Sequence, residues 1–203
     1  MSESGAIVVL LREPLPGKVK TRLAASIGAE DAAAVYSRLI DVTLTAAGLT
    51  DVPVYLRYDG RLPGPSERLS RFIYALQSPG NLGDRMRHAL ADAQALHGRA
   101  ILIGSDCPEI SEAILRDALL KLHKADVVIG PATDGGYYLI GIAGPPDRRL
   151  FADMPWSTDR VFALTLDRCA EAGLQVAILP MLSDVDTLED LARFPGLLPH
   201  STG

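Results

Sequence analysis

Short apolar runs alternate along the chain with longer segments in which apolar residues recur at helical spacing. The short runs predict β-strands and the longer segments predict α-helices. We predict strands over Ala6–Leu11, Val52–Tyr58, Phe72–Leu76, Ala100–Gly104, Asp126–Gly130, Tyr137–Ile142 and Gln175–Leu179. We predict helices over Ala29–Ala47, Asp84–Leu96, Ser111–His123, Asp159–Ala172 and Leu188–Phe194.

This alternation of strands and helices predicts a three-layer α/β/α sandwich. The runs Ala100–Gly104 and Asp126–Gly130 are apolar almost throughout, as expected when helices cover both faces of a parallel sheet. The connection from Asp126–Gly130 to Tyr137–Ile142 is too short for a helix. We therefore expect a mostly parallel, mixed sheet in which one strand runs antiparallel.

We interpret residues 1–203 as a single domain, since this length suits one hydrophobic core. Residues 60–68 and 143–149 are rich in proline and glycine and predict loops rather than domain linkers. The tail at about 195–203 is expected to fray.

Composition excludes several classes of protein. The hydrophobic content of 48% and charged content of 22% indicate a folded globular chain, and no apolar run is long enough to span a bilayer. The N-terminus has no basic segment of the signal-peptide kind, and the two cysteines form neither a disulfide framework nor a zinc motif. We expect a reduced, cytoplasmic protein that binds no membrane. The formal net charge of −5 argues against nucleic acid as a partner.

Positive charge is nevertheless concentrated after the first strand, at Arg12, Lys18, Lys20 and Arg22. Two prolines and Gly17 shape the loop that carries these cations into a helix. Loop amides, a helix N-terminus and cations together can hold phosphate groups. The loop has neither a Walker A nor a dinucleotide-binding glycine pattern. The alternative is a basic loop that is simply solvated.

A carboxylate follows the buried strand at 100–104, in the stretch "GSDCP". Asp106 at the end of a strand is suited to bind Mg²⁺ or Mn²⁺, which prefer oxygen ligands. The alternative is that Asp106 caps the following helix, although Ser111 is the better N-cap. Cys107 is interpreted as a packed thiol.

Two further acids lie in "SDVDTLED". Thr187 and Asp190 resemble a capping box, which leaves Asp184 and Asp186 unexplained. Acids at i and i+2 of an extended segment share one face. We expect one of these two to complete a site with Asp106.

The stretch "GPATDGGYYLIG" supplies candidates for an acceptor site. Gly135 and Gly136 permit a tight turn or close approach of the backbone to a ligand. Asp134 is either a turn residue or a holder of a metal-bound water or a substrate hydroxyl. Tyr137 and Tyr138 point to opposite faces of their strand, so that at most one is expected to face a given pocket.

The stretch "GNLGDRM" supplies candidates for contacts to a nucleotide. Gly80, Asn81 and Gly83 could approach a base or a ribose, and Arg85 could pair with a phosphate. The alternative is purely structural, with Asp84 as the N-cap of the next helix.

The only tryptophan lies in "PWSTD". Trp156 belongs either to the core or to the wall of an acceptor site. Ser157 or Thr158 is expected to cap the helix that follows.

The order of "PGKVKTRLA", "NLGDRM", "GSDCP", "GPATDGGYYLIG", "WST" and "DVDTLED" resembles the bacterial DUF2064 family over about residues 6 to 192. Members of that family are commonly described as glycosyltransferase A (GT-A)-like. The resemblance implies the nucleotide-diphosphosugar transferase fold, which some nucleotidyltransferases share.

The resemblance also implies roles for individual residues. The first loop, with Lys18, Lys20 and Arg22, would contact nucleotide phosphates, and the glycine loop at 80–83 would lie near the base and ribose. Asp106 and Asp186 would be the ligands of a divalent metal ion. Two positions depart from the family, which often has Asp where Asn81 stands and Lys where Arg12 stands.

These observations lead to an enzyme that transfers a group from a nucleotide-activated donor to a small-molecule acceptor. Lys20, Arg22 and Asp134 are its predicted catalytic residues, with the cations stabilising developing charge. A glycosyltransferase that uses a nucleotide sugar is our first hypothesis, on the strength of the family. A nucleotidyltransferase that releases pyrophosphate is the second, because the dense cations would suit a triphosphate. A non-catalytic nucleotide-binding protein is the third. The sequence leaves the oligomeric state open.

Overall fold

The computed structural model describes residues 5–62, 64 and 69–198. Within this part of the chain a single mixed sheet contains strands β1 (Ala6–Arg12), β2 (Val54–Asp59), β3 (Ile73–Leu76), β4 (Ala100–Ile103), β5 (Val127–Pro131), β6 (Tyr137–Ile142) and β7 (Val176–Ile178). The strand order is β3-β2-β1-β4-β6-β5-β7, and β6 is antiparallel to both of its neighbours while the other pairs are parallel. The predicted mixed, mostly parallel sheet is confirmed.

The helices are α1 (Thr21–Ile27), α2 (Ala29–Gly48), α3 (Leu82–His97), α4 (Glu112–Lys121), α5 (Val161–Glu171) and α6 (Leu188–Ala192). None of the helices among the described residues is long and apolar enough to span a membrane.

Alternation along the strands places a hydrophobic layer on each face of the sheet. In β1, Ile7 and Val9 belong to the cluster that contains buried residues of α2 and α4. The residues that alternate with them, Ala6 and Val8, belong to the cluster that contains buried residues of α3 and Cys169 of α5. The predicted three-layer sandwich is therefore confirmed.

The chain changes direction at β1, and this determines where a ligand can bind. From β1 it moves outward through β2 to β3, and then returns to form β4 on the other side of β1. The connections leaving the carboxyl ends of β1 and β4 thus run to opposite sides, which opens a crevice at that edge of the sheet.

Local structure departs from the predictions in the loops and the tail. The loop at 143–149 ends in a 3₁₀ turn over Arg148–Leu150, and the tail that was expected to fray begins with another at Pro195–Leu197, where Leu197 is buried. Residue 63 and residues 65–68 of the predicted loop, and 199–203 of the tail, lie outside the described residues.

Candidate functional site

The centre of the candidate site is the ammonium group of Lys20. Its Nζ lies 2.5 Å from Oδ1 of Asp106 and 2.8 Å from Oδ1 of Asp186. The Lys20 side chain is only 3% exposed, whereas the two carboxylate side chains are 48% and 46% exposed. The sequence predicted all three residues for the site, but not that the lysine would lie between the two acids.

The backbone of Lys20 is unusual and helps to direct its side chain inward. Lys20 precedes α1 in a left-handed conformation, with φ of 47° and ψ of 46°, which is uncommon for a residue with a Cβ. Its carbonyl oxygen accepts a hydrogen bond from the N–H of Ala24 at 2.8 Å, in the first turn of α1. Such a conformation costs on the order of 1–3 kcal/mol and is found where surrounding contacts enforce it. The contacts that Lys20 makes here include the two ion pairs.

Backbone contacts bring the two carboxylates together from distant parts of the chain. Asp106 follows β4, and its carbonyl oxygen accepts a hydrogen bond from the N–H of Val185 at 3.0 Å. The capping box at the start of α6 holds Asp186, the residue after Val185. Oδ2 of Asp190 accepts hydrogen bonds from the N–H groups of Asp186 and Thr187. The predicted capping box is confirmed, and it fixes the backbone on which Asp186 is carried.

The alternative role of Asp106 as a helix cap is excluded by the same region. The N-cap of α4 is Ser111, whose side chain accepts a hydrogen bond from the N–H of Ile114. The carboxylate of Asp106 is therefore not used as a helix cap and lies in the cleft lining.

The charges at this site are strongly coupled. Burial would lower the pKa of Lys20, but Asp106 and Asp186 outweigh it and raise that pKa above its ordinary value. The ammonium is thus a permanent cation. Burial, together with the nearby carboxylates of Asp106 and Asp134, raises the pKa of Asp184 to about 7.

A hydrogen-bond relay beneath Lys20 joins three elements. The hydroxyl of Tyr36 on α2 accepts the N–H of Arg12 at 3.0 Å and lies 2.9 Å from Oγ of Ser105, just before Asp106. Nζ of Lys20 lies 6.0 Å from the centroid of the Tyr36 ring. Sequence analysis missed Tyr36 because its position fits the apolar stripe of a helix. A buried tyrosine that needs a partner for its hydroxyl was the available signal.

A cleft of about 700 Å³ opens over these residues. Most of the predicted site residues line it: Arg12, Lys20, Arg22, Gly80, Asn81, Arg85, Asp106, Asp134, Gly136, Tyr137, Trp156 and Asp186. The lining also includes Asp184 and Gln77. Gly17, Lys18, Gly83 and Gly135 do not contribute to it.

The cations around the cleft differ in whether they already form ion pairs or hydrogen bonds with other residues of the protein. Nη1 of Arg85 lies 3.0 Å from Oδ2 of Asp59, and its Nε donates to the carbonyl oxygen of Gly80. Nε of Arg12 lies 3.9 Å from the same Asp59 oxygen. Arg22 is exposed and forms no ion pair with any described residue. Arg22 is therefore the lining cation best able to accept a new anionic partner.

The loop before α3 provides the N-cap of that helix, but the capping residue differs from the one predicted from the sequence. The N-cap of α3 is Asn81, not Asp84: Oδ1 of Asn81 accepts the N–H of Asp84 at 3.0 Å, and Oδ2 of Asp84 accepts the N–H of Asn81. Gly83 is buried, and a Cβ there would collide with the carbonyl oxygen of Phe151. The close approach expected at Gly83 is therefore made to the protein's own backbone.

Asp134 lies in the turn at 132–136, and the two oxygens of its carboxylate differ in their contacts. Oδ1 of Asp134 accepts the N–H of Gly136 at 2.8 Å, which is the predicted turn role. Its other oxygen forms no hydrogen bond with the described residues, and Asp134 lines the cleft. Gly135 packs on the backbone of Asp159, and its carbonyl oxygen accepts the N–H of Phe162. The turn is thereby attached to the start of α5.

Aromatic side chains form the far wall of the cleft. Tyr137 and Tyr138 pack into opposite hydrophobic layers, yet both line the cleft, so the expectation that only one would face it is wrong. Trp156 meets Tyr137 edge to face at 6.3 Å between ring centroids. It therefore serves both the core and the cleft wall.

The predicted cap of α5 is also wrong. α5 begins at Val161 after Arg160, with no hydrogen bond from a capping side chain. Thr158 donates instead to the carbonyl oxygen of Pro155, and Ser157 is left-handed with φ of 64°. Both residues belong to the loop that presents Trp156 to the cleft.

Comparison with solved structures finds 144 chains with significant similarity. One is a protein from Desulfovibrio desulfuricans G20, provisionally described as a nucleotide-diphospho-sugar transferase. It is 34% identical, with a TM-score of 0.83, and the match covers 94% of this chain and 85% of that one. A nucleotidyl transferase from Methanothermobacter thermautotrophicus is 19% identical, with a TM-score of 0.61 over 94% of this chain and 95% of the other.

A CMP:2-keto-3-deoxy-manno-octonic acid synthetase in complex with CTP is 15% identical. Its TM-score is 0.53 over 96% of this chain and 98% of the synthetase. At these lower identities the likeness concerns the fold alone, which is that of nucleotide-dependent transferases. A search of curated proteins finds no match.

The family comparison gives the remaining result. Residues 42–158 match the model of the DUF2064 family, described as an uncharacterized protein conserved in bacteria. The matched range contains Asp106 and the turn at Asp134 but neither Lys20 nor Asp186. Since the match spans more than half of the chain, this protein belongs to the DUF2064 family.

Proposed function

We propose that this protein is a metal-dependent transferase that moves a glycosyl group from a nucleotide sugar to a small acceptor. The observation that carries the proposal is the convergence of Asp106 and Asp186 on one cation, at the carboxyl edge of β1 and β4. Ligands of open α/β sheets bind at this edge, beside the strand where the chain changes direction. The cleft is large enough for a nucleotide, and both polar groups and aromatic rings line it.

The donor groups suit a divalent metal ion. Oδ1 of Asp106 and Oδ1 of Asp186 lie within 2.8 Å of the same nitrogen, so both oxygens point to one place. Among the described residues no group of three or more His, Cys, Asp or Glu side chains forms a metal cluster. Two carboxylates completed by water and donor phosphates are the usual set for Mg²⁺, and Mn²⁺ accepts the same oxygen ligands. Such an ion would neutralise charge on the leaving diphosphate.

The protein's own side chains would divide the remaining tasks. Arg22 and Lys20 would stabilise negative charge on the leaving phosphates. Gly80, Asn81 and Arg85, on the opposite side of β1, would border the base and ribose. Asp134, with one uncommitted oxygen, would accept a hydrogen bond from the acceptor hydroxyl near Tyr137 and Trp156. The acceptor oxygen would then bond to the anomeric carbon as the bond from that carbon to the phosphate oxygen breaks, and the hydroxyl proton would pass to Asp134.

Nucleotidyl transfer is the second candidate, favoured by the three cations of the first loop that line the cleft. Two of the three already have acidic neighbours, since Lys20 contacts Asp106 and Asp186, and Arg12 lies near Asp59. In the metal-free protein Arg22 is therefore the one of these three cations that has no acidic neighbour among the described residues. The likeness to a protein provisionally described as a nucleotide-diphospho-sugar transferase supports a nucleotide sugar as the first choice of donor.

The test is a panel of nucleoside triphosphates and nucleotide sugars, each with Mg²⁺ or Mn²⁺ and with a mixture of small hydroxylated acceptors. Thermal shift identifies the donor, and product analysis separates release of nucleoside diphosphate from release of pyrophosphate. Asp106→Asn should lose the metal-dependent shift. Asp117→Asn, on α4 and outside the cleft lining, is the matched control and should keep it. Release of pyrophosphate would overturn glycosyl transfer in favour of the second candidate.

A further inference from the structure

The ammonium of Lys20 occupies the position that a shared metal ion would need. Both ligand oxygens, Oδ1 of Asp106 and Oδ1 of Asp186, are the atoms that contact Nζ, at 2.5 and 2.8 Å. An ion bound to both oxygens would therefore meet the ammonium at close range, where like charges repel strongly.

We propose that Lys20 is an internal competitor of the metal ion, which must displace the ammonium from the Asp106–Asp186 pair before it can bind. This inference rests on the proposed function, since it concerns the same two carboxylates. It adds that Lys20 offsets part of the charge of the two carboxylates in the metal-free protein, and that arrival of the metal exposes a cation to the cleft.

The burial of the three groups indicates which of them moves. The carboxylates are close to half exposed, so an ion can approach them from the cleft, whereas the lysine side chain is almost completely buried. The backbone of Lys20 is tied to α1 through its carbonyl oxygen. The long, flexible stem of the lysine is therefore the part that can rearrange.

A displaced ammonium needs a new anionic partner. A charged group without a partner is costly to bury, and no other carboxylate among the described residues lies within ion-pair distance of Nζ. The cleft that Lys20 lines is the place where the donor's phosphates would lie. Metal and donor should therefore assist each other's binding through this one side chain.

Calorimetry with Mn²⁺ alone tests the competition. Lys20→Met removes the competing charge and keeps much of the side-chain volume, so it should bind Mn²⁺ at least about tenfold more tightly than the wild type. Lys121→Met is the matched control, because Lys121 also pairs with a carboxylate, Asp117 at 2.8 Å, but lies on α4 outside the cleft lining. Its affinity for Mn²⁺ should equal that of the wild type.

A second measurement uses the wild type and does not depend on how well a variant folds. Lysine acetylation by a water-soluble reagent, followed by mass spectrometry, reports how accessible each ammonium is. Lys20 should react slowly in the metal-free protein and several-fold faster with Mg²⁺, since release from the carboxylates exposes it. Lys18 is exposed and outside the cleft lining, so its rate should not change and serves as an internal control.

The outcomes separate this inference from the proposed function. If Lys20→Met and the wild type bind Mn²⁺ equally well, while Asp106→Asn abolishes binding, the metal site stands and the competition is overturned. An Mg²⁺-independent acetylation rate at Lys20 would also overturn it. If even Lys20→Met binds no Mn²⁺, both the competition and the metal dependence in the proposed function are overturned.

Discussion

The N–H of Val185 donates a hydrogen bond to the carbonyl oxygen of Asp106 at 3.0 Å and thereby joins two segments that are far apart in the sequence. Val185 is fully buried, in the cluster formed by α1, α2 and α6, so this attachment is rigid. Its neighbours Asp184 and Asp186 therefore line the cleft beside Asp106. This backbone contact thus brings Asp106, Asp184 and Asp186 together. The first loop supplies Lys20, which pairs with two of these acids.

The ion pairs of Lys20 should contribute to the stability of the metal-free fold. Asp106→Asn removes one charged partner from a buried ammonium, and we expect it to lower the free energy of unfolding by about 1–3 kcal/mol. Urea denaturation in the presence of a chelator measures this change. Asp117→Asn, which breaks a half-exposed i,i+4 pair with Lys121, should cost less than about 1 kcal/mol. Equal effects of the two substitutions would mean that the Lys20–Asp106 pair stabilises the fold no more than the Lys121–Asp117 pair does.

Much of this arrangement could be predicted because it depends on local pattern. The strands were visible as apolar runs, and Asp106 could be placed at a ligand site because it follows one of them. The capping box at Thr187 left Asp186 without a structural duty, which pointed to a role in the site.

The relation between Lys20, Asp106 and Asp186 could not be predicted, because it depends on tertiary distance. A left-handed lysine has no sequence signature, since Gly and Asn are the residues expected there. Gly83 was misjudged for a similar reason. A glycine that admits a ligand and a glycine that admits the carbonyl oxygen of Phe151 look the same in a sequence.

Gly83 should prove essential for packing. A Cβ at this buried position would collide with the carbonyl oxygen of Phe151, which belongs to the backbone and cannot simply rotate away. Gly83→Ala is expected to reduce the free energy of unfolding by about 1–3 kcal/mol, the usual effect of overpacking. Gly144→Ala is the control, since its Cβ would meet open space. Thermal denaturation of both variants provides the comparison, and a Gly83→Ala protein as stable as the control would contradict the packing role.

Asn81 should tolerate replacement by Asp. Its oxygen caps α3, and Asp is as good an N-cap as Asn. We expect Asn81→Asp to change stability by less than about 0.5 kcal/mol, whereas Asn81→Ala should lose about 1 kcal/mol. Should Asn81→Asp keep its stability but lose affinity for the donor, residue 81 would lie close enough to the donor for its amide or its charge to affect binding.

Both cysteines should be inert in the folded protein. Burial raises the pKa of Cys107 to about 12 and, with a smaller effect of Asp147, that of Cys169 to about 11. Because only the thiolate reacts, and a raised pKa keeps the thiol protonated below pH 9, a disulfide reagent at pH 8 should label neither residue rapidly. After denaturation two thiols should react within the mixing time of the assay. Rapid labelling of the native protein would show that one of these sites opens readily.

The cations of the first loop should separate into those that meet the donor and those that do not. Arg22 lines the cleft without an acidic partner among the described residues, whereas Lys18 is exposed and outside the lining. A charge-assisted hydrogen bond to phosphate contributes about 1.5–3 kcal/mol, so Arg22→Ala should weaken donor binding by about tenfold or more.

Lys18→Ala removes the same charge four residues away and should leave the dissociation constant within about twofold, because it loses only screened, long-range attraction. Calorimetric titration of both variants at two salt concentrations distinguishes a direct contact from a general field. A direct contact at Arg22 keeps its advantage over Lys18 at high salt, since a pair at contact distance is poorly screened. If the two variants weaken binding equally and the loss disappears as salt is added, the loop attracts phosphate only through its net charge, and the assignment of Arg22 to the donor is wrong.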